Sequence, residues 1–237
     1  MITTVTITGA DDSIRPQELL SITNHYPFVE WALLVSRSST GHGRFPSIEW
    51  IKELQTIAPD LKISCHLCGA YVRELLLGDI DFITNELDDI WNQFQRVQIN
   101  THGIPHAFNH SKMLKALNIW PEKEFIFQYD NANSDILLAA NRNGVNCSAL
   151  FDLSHGAGVS PSEWPDLLPG IKCGYAGGIS PKNIKSECIR VSEKTGEVET
   201  WIDMETHVRS NNDKDFDLTK VESCLSQSEP FVKELAD

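Results

Sequence analysis

Apolar, β-branched runs alternate with segments of helical periodicity along the whole chain. This alternation predicts a parallel sheet whose strands are joined by crossover helices. Short runs rich in Val, Ile, Leu and Phe mark the strands, which we place at Ile2–Thr8, Val29–Ser36, Leu61–His66, Arg96–Asn100, Glu124–Gln128, Cys147–Asp152, Ile171–Tyr175 and Thr200–Met204.

Segments of helical periodicity follow these strands. They predict helices at Pro16–Thr23, Ser47–Ala58, Gly69–Gly78, Thr84–Phe94, Ala107–Leu117, Ser134–Asn143, Pro161–Leu168, Pro181–Glu193 and Leu218–Ser226. Ser47, Ser160 and Ser180 precede three of these helices, and we expect each to serve as an N-cap. The acidic stretch 79–94, between the third and fourth strands, is predicted to be either a surface insertion or a lid.

Eight strand–helix units are the number that closes a (β/α)8 TIM barrel. The length of 237 residues is close to the roughly 250 residues typical of that fold. Because no Pro- or Gly-rich linker separates the units, we predict one α/β barrel domain over residues 1–237. An open, doubly wound sheet is the alternative architecture.

Composition disfavours some classes of binding partner and indicates the cell compartment. The formal net charge of −13 disfavours binding to nucleic acid or to anionic membranes. No apolar run approaches the ~20 residues of a membrane span, and the first residues do not resemble a secretory signal. Six cysteines are spread thinly, as is typical of reduced thiols. We therefore expect a cytoplasmic protein, and we expect no cofactor.

Histidines are concentrated at the ends of the predicted strands and in the loops that follow them, where a barrel gathers its catalytic groups. Histidine titrates near neutral pH and also binds metals, so a cluster predicts either acid–base catalysis or a divalent ion. The alternative is that several of these side chains only face water. Five of the eight histidines occupy such positions: His42, His66, His102, His155 and His207.

Two further features carry candidate chemistry. Asp152 ends the most apolar strand, where burial or a nearby cation suits a carboxyl group to acid–base work; the alternative is a loop cap. Gly177 and Gly178 precede a predicted helix, and glycines there let backbone amides approach an anion.

The pair Cys65 and Cys68 has the spacing of redox or zinc cysteines, but no second Cys/His pair is evident. Two reduced thiols are therefore the favoured interpretation. If Cys68 opened a helix, its pKa would fall and it could act as a nucleophile or base.

Motifs from the sixth strand onward match a known family. Asp152, the following His155–Gly158 and then Trp164 resemble that family's Leu-Leu-Asp, Gly-rich loop and Asp-Trp. The run 176–184 resembles its Ala-Gly-Gly-Leu-x-Pro-Glu-Asn-Val, and Gly43–Ser47 resembles its Pro-Arg-Tyr-Val-Ser. In these motifs the sequence resembles phosphoribosylanthranilate isomerase, one of the ribulose-phosphate-binding barrels, which carries out an Amadori rearrangement in tryptophan biosynthesis.

The resemblance implies roles for individual residues. Asp152 is the expected general acid, and Arg44 is the expected partner of a substrate carboxylate, for which a guanidinium group is well shaped. Gly177 and Gly178 are expected to help hold a phosphate. Further substrate contacts are expected from Gln98, Gly156, Asp203 and His207.

Two positions depart from the family pattern. The family's general base is a cysteine of the first strand, where this chain has Thr8, and a threonine hydroxyl is not a base near pH 7. The family's Ser-Ser-Gly after the eighth strand is replaced by Glu205-Thr206-His207, which places a carboxylate where phosphate is expected. The scaffold and the acid are therefore kept, while the base and half of the phosphate site are altered.

Three functions remain open. The first is an aldose–ketose type of isomerase acting on a small anionic metabolite as a monomer or homodimer, with His66, His102 or Cys68 as the new base. The second is a metal-dependent hydrolase or lyase whose ligands come from the histidines, Asp152, Asp203 and Glu205. The third is a non-catalytic relative that binds a metabolite or a protein.

Overall fold

The strands form a closed, eight-stranded parallel barrel. The computed structural model describes residues 1–101, 110–130, 134–152 and 160–234. Neighbouring strands pair in sequence order and the eighth closes onto the first. The strands are β1 Ile2–Thr8, β2 Val29–Val35, β3 Ile63–Leu67, β4 Arg96–Ile99, β5 Glu124–Gln128, β6 Cys147–Asp152, β7 Lys172–Ala176 and β8 Thr200–Met204. The predicted barrel is thus confirmed and the open sheet is excluded.

Helices surround the barrel and shield the outer faces of its strands. They are α1 Pro16–His25, α2 Ile48–Ile57, α3 Ala70–Leu77, α4 Asp81–Glu86, α5 Asp88–Trp91, α6 His110–Leu117, α7 Ser134–Arg142, α8 Ile184–Thr195 and α9 Leu218–Ser228. In the described ranges, none of these helices has the length and apolar character that crossing a bilayer demands.

The predicted helix Pro161–Leu168 is wrong, because the described residues between β6 and β7 contain no helix. Prolines at 161, 165 and 169 each remove a backbone donor and disfavour helical geometry in the preceding residue. The segment is instead anchored by Trp164, which is buried and donates from Nε1 to Glu187 Oε2 at 2.9 Å.

Of the three predicted N-caps, only Ser47 is confirmed: its Oγ accepts from the Trp50 amide at 3.1 Å. No helix follows Ser160, whose hydroxyl instead donates to the carbonyl of Gly178 at 3.0 Å. Helix α8 begins at Ile184, so its N-cap position falls on Asn183 rather than on Ser180. Asn183 Oδ1 accepts from the amide and the hydroxyl of Ser180, which places Ser180 in the turn before the helix.

The acidic stretch 79–94 is neither a surface insertion nor a lid. It forms α4 and α5, and its apolar residues Phe82, Ile90 and Phe94 are all buried in the main core. Trp91 packs edge-on against Trp120, with ring centroids 5.2 Å apart. Its acidic residues therefore face outward from a segment that completes the outer hydrophobic layer.

Trp201 and a buried ion cluster fill the lower half of the barrel. The Trp201 indole packs across Gly174, where a Cβ atom would lie 2.1 Å from indole Cε2. Beneath it, Arg96 pairs with Glu30 at 2.8 Å and Glu124 at 3.2 Å, and its guanidinium lies 4.4 Å from the Trp201 ring centroid. The cavity described next lies above this plug, where the strands end.

Candidate active site

A cavity of about 90 Å³ opens at the carboxyl ends of the strands. This is the face on which barrel enzymes place their active sites. The structure brings together at this cavity eight of the residues singled out in the sequence: Arg44, His66, Gln98, Asp152, Gly177, Gly178, Asp203 and His207. The expected site residues His102 and Gly156, together with His155, lie outside the described residues, and His42 is exposed and does not line the cavity.

Asp203 is the most strongly perturbed carboxyl group of the site. It points inward from β8, is only 4 % exposed, and accepts from Thr8 Oγ1 at 2.7 Å. Burial raises its pKa well above the usual value; the Thr8 hydrogen bond opposes this rise, and nearby carboxylates, including Asp152, add to it. Perturbations of this kind in a cleft are typical of functional groups.

Thr8 does not line the cavity, yet it belongs to the site through this hydrogen bond. Strands β1 and β8 are neighbours, with Thr6 opposite Asp203 in the register. The Thr8 side chain therefore reaches the Asp203 carboxyl across the seam that closes the barrel. The β1 position at which the resembled family carries its base is here a donor to a carboxyl group on the adjacent strand.

His66 is buried beside Asp203, with 3.8 Å between His66 Nε2 and Asp203 Oδ2. Burial, with a smaller effect of the Arg96 charge, lowers the pKa of His66 to about 3. The imidazole is therefore neutral at pH 7 and a weak proton acceptor. Because it packs against Asp203, His66 is suited to orient that carboxyl group rather than to act as the base itself.

Cys68 lies just outside the cavity lining. It accepts from Asn100 Nδ2 at 3.1 Å, and Gly69, not Cys68, precedes the first residue of α3. Burial raises the pKa of Cys68 to about 11, so the group is a neutral thiol near pH 7. This protonation state does not favour a role as base or nucleophile. Among the described residues, no cysteine is joined in a disulfide.

Arg44 reaches the mouth from the loop after β2, and both of its terminal nitrogens donate to carboxylates of the chain. Nη1 pairs with Glu205 and Nη2 pairs with Asp213. Asp213 also pairs with the fully buried Arg209, which in turn holds Asp11 at 2.7 Å. This network ties the loops after β1, β2 and β8 together across the opening.

The loops after β7 and β8 form the other side of the cavity. Gly177 and Gly178 have φ angles of 112° and 69°, a region that favours glycine. The Gly178 carbonyl is held by Ser160 Oγ and Asn183 Nδ2. Within the described segments, the amides of both glycines donate to no backbone carbonyl. Such loop amides are suited to bind an anion.

A metal centre has no support from the described part of the chain. No three side chains of His, Cys, Asp or Glu come together there closely enough to hold an ion. Two carboxyl groups, those of Asp152 and Asp203, line the same cavity.

Asp213 and Asn100 are site residues that sequence reasoning missed. Asp213 lies 169 positions from Arg44 on a turn between two short strands, and no local pattern links the two. Asn100 offered a weak signal, because it directly follows β4 at the same rim as the predicted residues. The stronger signal was at Asp203, which lies one residue before the end of the apolar strand β8, much as Asp152 ends β6.

Comparisons with known proteins establish likeness in fold. No family model and no curated protein matches the chain. Among solved structures, N-(5'-phosphoribosyl)anthranilate isomerase from Pyrococcus furiosus aligns over 96 % of this chain and 99 % of its own, with a TM-score of 0.57 and 13 % identity.

Two other barrel enzymes align comparably. Phospho-2-dehydro-3-deoxyheptonate aldolase from Thermotoga maritima aligns over 99 % of this chain and 72 % of its own, with a TM-score of 0.56 and 11 % identity. KGPDC from Streptococcus mutans aligns over 97 % of this chain and 99 % of its own, with a TM-score of 0.50 and 10 % identity. The resemblance to phosphoribosylanthranilate isomerase is therefore confirmed at the level of the barrel fold.

Proposed function

We propose that this protein is an enzyme that isomerises a small anionic metabolite by acid–base catalysis, with Asp152 and Asp203 as the reacting pair. The observation that carries the proposal is that both carboxyl groups line one cavity, while burial raises the pKa of Asp203. Two carboxyl groups whose environments differ are a recurrent way to obtain an acid and a base in one site. Aldose–ketose chemistry requires one group of each kind.

Asp203 takes the role of base in this proposal. A raised pKa makes its ionised form a better proton acceptor than an ordinary carboxylate. The hydrogen bond from Thr8 and the packing of His66 orient the group toward the cavity. The base is thus moved from β1, where the resembled family carries it, to the neighbouring strand β8. Asp152 keeps the role of acid that the resemblance implies.

The loops after β7 and β8 are proposed to hold the anionic group of the substrate. Support comes from the glycine amides at 177 and 178, and from the proximity of Thr206 and His207 at the same side of the cavity. The Glu205 carboxylate, which sequence reasoning marks as repulsive to phosphate, is neutralised in part by Arg44. An anion can therefore enter beside it at a lower electrostatic cost.

Hydrogen exchange tests the proposal without any need to identify the product. A panel of aldose and ketose phosphates is incubated with the protein in D₂O, and loss of the proton on the carbon next to the carbonyl is followed by NMR. We expect exchange on at least one compound, and a loss of at least about 100-fold in Asp152→Asn and in Asp203→Asn, in line with one acid or base group. Thr8→Val is expected to retain partial activity, because it removes only an orienting contact.

The surface variant Asp60→Asn is the matched control, since it makes the same chemical change at an exposed residue. Thermal melts confirm that each variant is folded. Exchange that persists in Asp203→Asn would remove Asp203 from the mechanism. No exchange on any member of the panel would contradict the proposed chemistry and favour a binding role. Growth of a tryptophan auxotroph lacking phosphoribosylanthranilate isomerase is a separate test of that particular activity.

A further inference from the structure

The guanidinium of Arg44 is occupied by two carboxylates of the chain. Glu205, the first residue after β8, engages Nη1, and Asp213 engages Nη2. The Arg44 and Glu205 side chains are 23 % and 33 % exposed, so this pair lies partly inside the mouth, whereas Asp213 is 41 % exposed at its rim. A ligand carboxylate at this position would have to displace a resident one.

The charge of the surrounding network also opposes a carboxylate. Arg44 and Arg209 face three carboxylates, those of Asp11, Glu205 and Asp213, so these five side chains carry one net negative charge. A further cation, Lys220, donates to the backbone carbonyl of Arg209 rather than to one of these carboxylates. An incoming carboxylate would meet this excess of negative charge in addition to losing the guanidinium to its present partners. A hydroxyl group meets neither obstacle and can hydrogen-bond to the exposed edges of the carboxylates.

The turn that carries Asp213 sets where its carboxylate lies. Asn211, Asn212 and Asp213 follow one another with φ angles of 50°, 56° and 69°, and Asn and Asp are the non-glycine residues that best tolerate this left-handed region. Arg209 Nε donates to the Asp213 backbone carbonyl at 3.2 Å and pairs with its carboxylate at 3.0 Å. The turn therefore presents Asp213 to Arg44 as a built feature of the fold.

We infer that Glu205 and Asp213 are specificity-determining residues, and that the substrate carries a neutral, hydroxyl-bearing end toward Arg44 rather than a carboxylate. The inference rests on the proposed function and narrows its substrate class to metabolites whose anionic group lies only at the β7–β8 side. It departs from the role that the sequence resemblance implies for Arg44. The guanidinium here organises the rim instead of receiving a charged group of the substrate.

A matched pair of ligands tests the inference by calorimetry. Ribitol 5-phosphate and ribonate 5-phosphate differ only in a terminal CH₂OH against COO⁻. We expect the wild-type protein to bind ribitol 5-phosphate at least tenfold more tightly. The double variant Glu205→Gln, Asp213→Asn is expected to abolish or reverse this preference. Asparagine at position 213 keeps the left-handed turn and can still accept a hydrogen bond from Arg209. The single variant Glu205→Gln leaves that turn unchanged, and we expect it to shift the ligand preference in the same direction.

The control removes a similar pair of carboxylates elsewhere. Arg37 lies between Glu74 and Glu86, with 2.6 Å contacts to each, and none of the three lines the cavity. The double variant Glu74→Gln, Glu86→Gln makes the same change in net charge, and we expect it to keep the wild-type preference. The same shift in this control would assign the effect to total charge and overturn the inference.

The outcomes also separate the inference from the proposed function. Tighter binding of ribonate 5-phosphate by the wild-type protein, or an unchanged ratio in the rim variants, overturns the inference and leaves the acid–base proposal standing. If neither compound binds the wild-type protein but ribonate 5-phosphate binds the double variant, the exclusion of a carboxylate by Glu205 and Asp213 stands, whereas the preference for a hydroxyl end and the proposed anion site both fail. If neither compound binds any variant, both fail.

Discussion

Replacing Asp203 by Asn tests the central electrostatic feature of the site through stability alone. Burial raises the pKa of Asp203 in the folded protein, whereas the unfolded chain has the ordinary value of about 3.9. Above about pH 4 the folded protein therefore holds a proton that the unfolded chain has released. Stability conferred by this proton is fully present below the unfolded pKa and is lost as the pH rises through the folded pKa, by up to about 1.4 kcal/mol per pH unit.

Asparagine cannot ionise, and its side-chain oxygen can still accept the hydrogen bond from Thr8. The stability of the variant therefore does not decrease through this group as the pH rises. The free energy of unfolding of Asp203→Asn minus that of wild type should grow as the pH rises above about 4, by up to about 1.4 kcal/mol per pH unit, and level off above the folded pKa. Urea unfolding at a series of pH values from about 4 upward measures the difference, from which the titrating groups that both proteins share cancel. The exposed control Asp60→Asn should run parallel to wild type. Parallel curves for Asp203→Asn and wild type would refute the account of a buried, proton-holding carboxyl group.

Three further predictions concern stability. Because burial lowers the pKa of His66 to about 3, the free energy of unfolding should fall by about 1.4 kcal/mol per pH unit as the pH drops below about 6.5. His66→Gln should flatten this fall in thermal melts between about pH 6.5 and pH 4. An unchanged slope in the variant would contradict the prediction. Gly174→Ala should lower the free energy of unfolding in urea by roughly 3 kcal/mol, because its Cβ would overlap the Trp201 indole. Adding Trp201→Phe to this variant should restore part of the lost stability. No loss of stability in Gly174→Ala would mean that Trp201 is not tightly packed against position 174. Glu30→Gln should cost about 3 kcal/mol by removing a buried partner of Arg96, and a loss under 1 kcal/mol would show that Glu124 suffices.

The sequence predicted the strands well because burial on both faces leaves a strong local signal. The bounds of β1, β5, β6 and β8 agree with the prediction at both ends. The helix predicted at Pro161–Leu168 failed because a local apolar pattern cannot distinguish a helix from an extended segment pinned by one tryptophan, Trp164. There, tertiary contact and proline geometry outweighed periodicity.

The sequence predicted where the candidate site lies, but not the protonation states and pairings of its residues. Strand ends predicted that Asp152, Arg44 and Asp203 would share one rim, since parallel strands end on one face. The protonation states depend on depth and on cross-strand neighbours, such as Thr8 against Asp203, which only the closed register fixes. The pairing of Arg44 with Asp213 depends on a turn far along the chain, which no spacing rule reports.

The plug made by Trp201 over Arg96 has a consequence for isotope labels. With the lower end of the barrel filled, Asp203 meets water from above, through the mouth. A bound molecule that fills the mouth would cut this group off from the surrounding solvent during a catalytic cycle. Return of an abstracted deuteron to the same molecule would then compete with its exchange into water, so the product should retain part of the label carried in by the reactant.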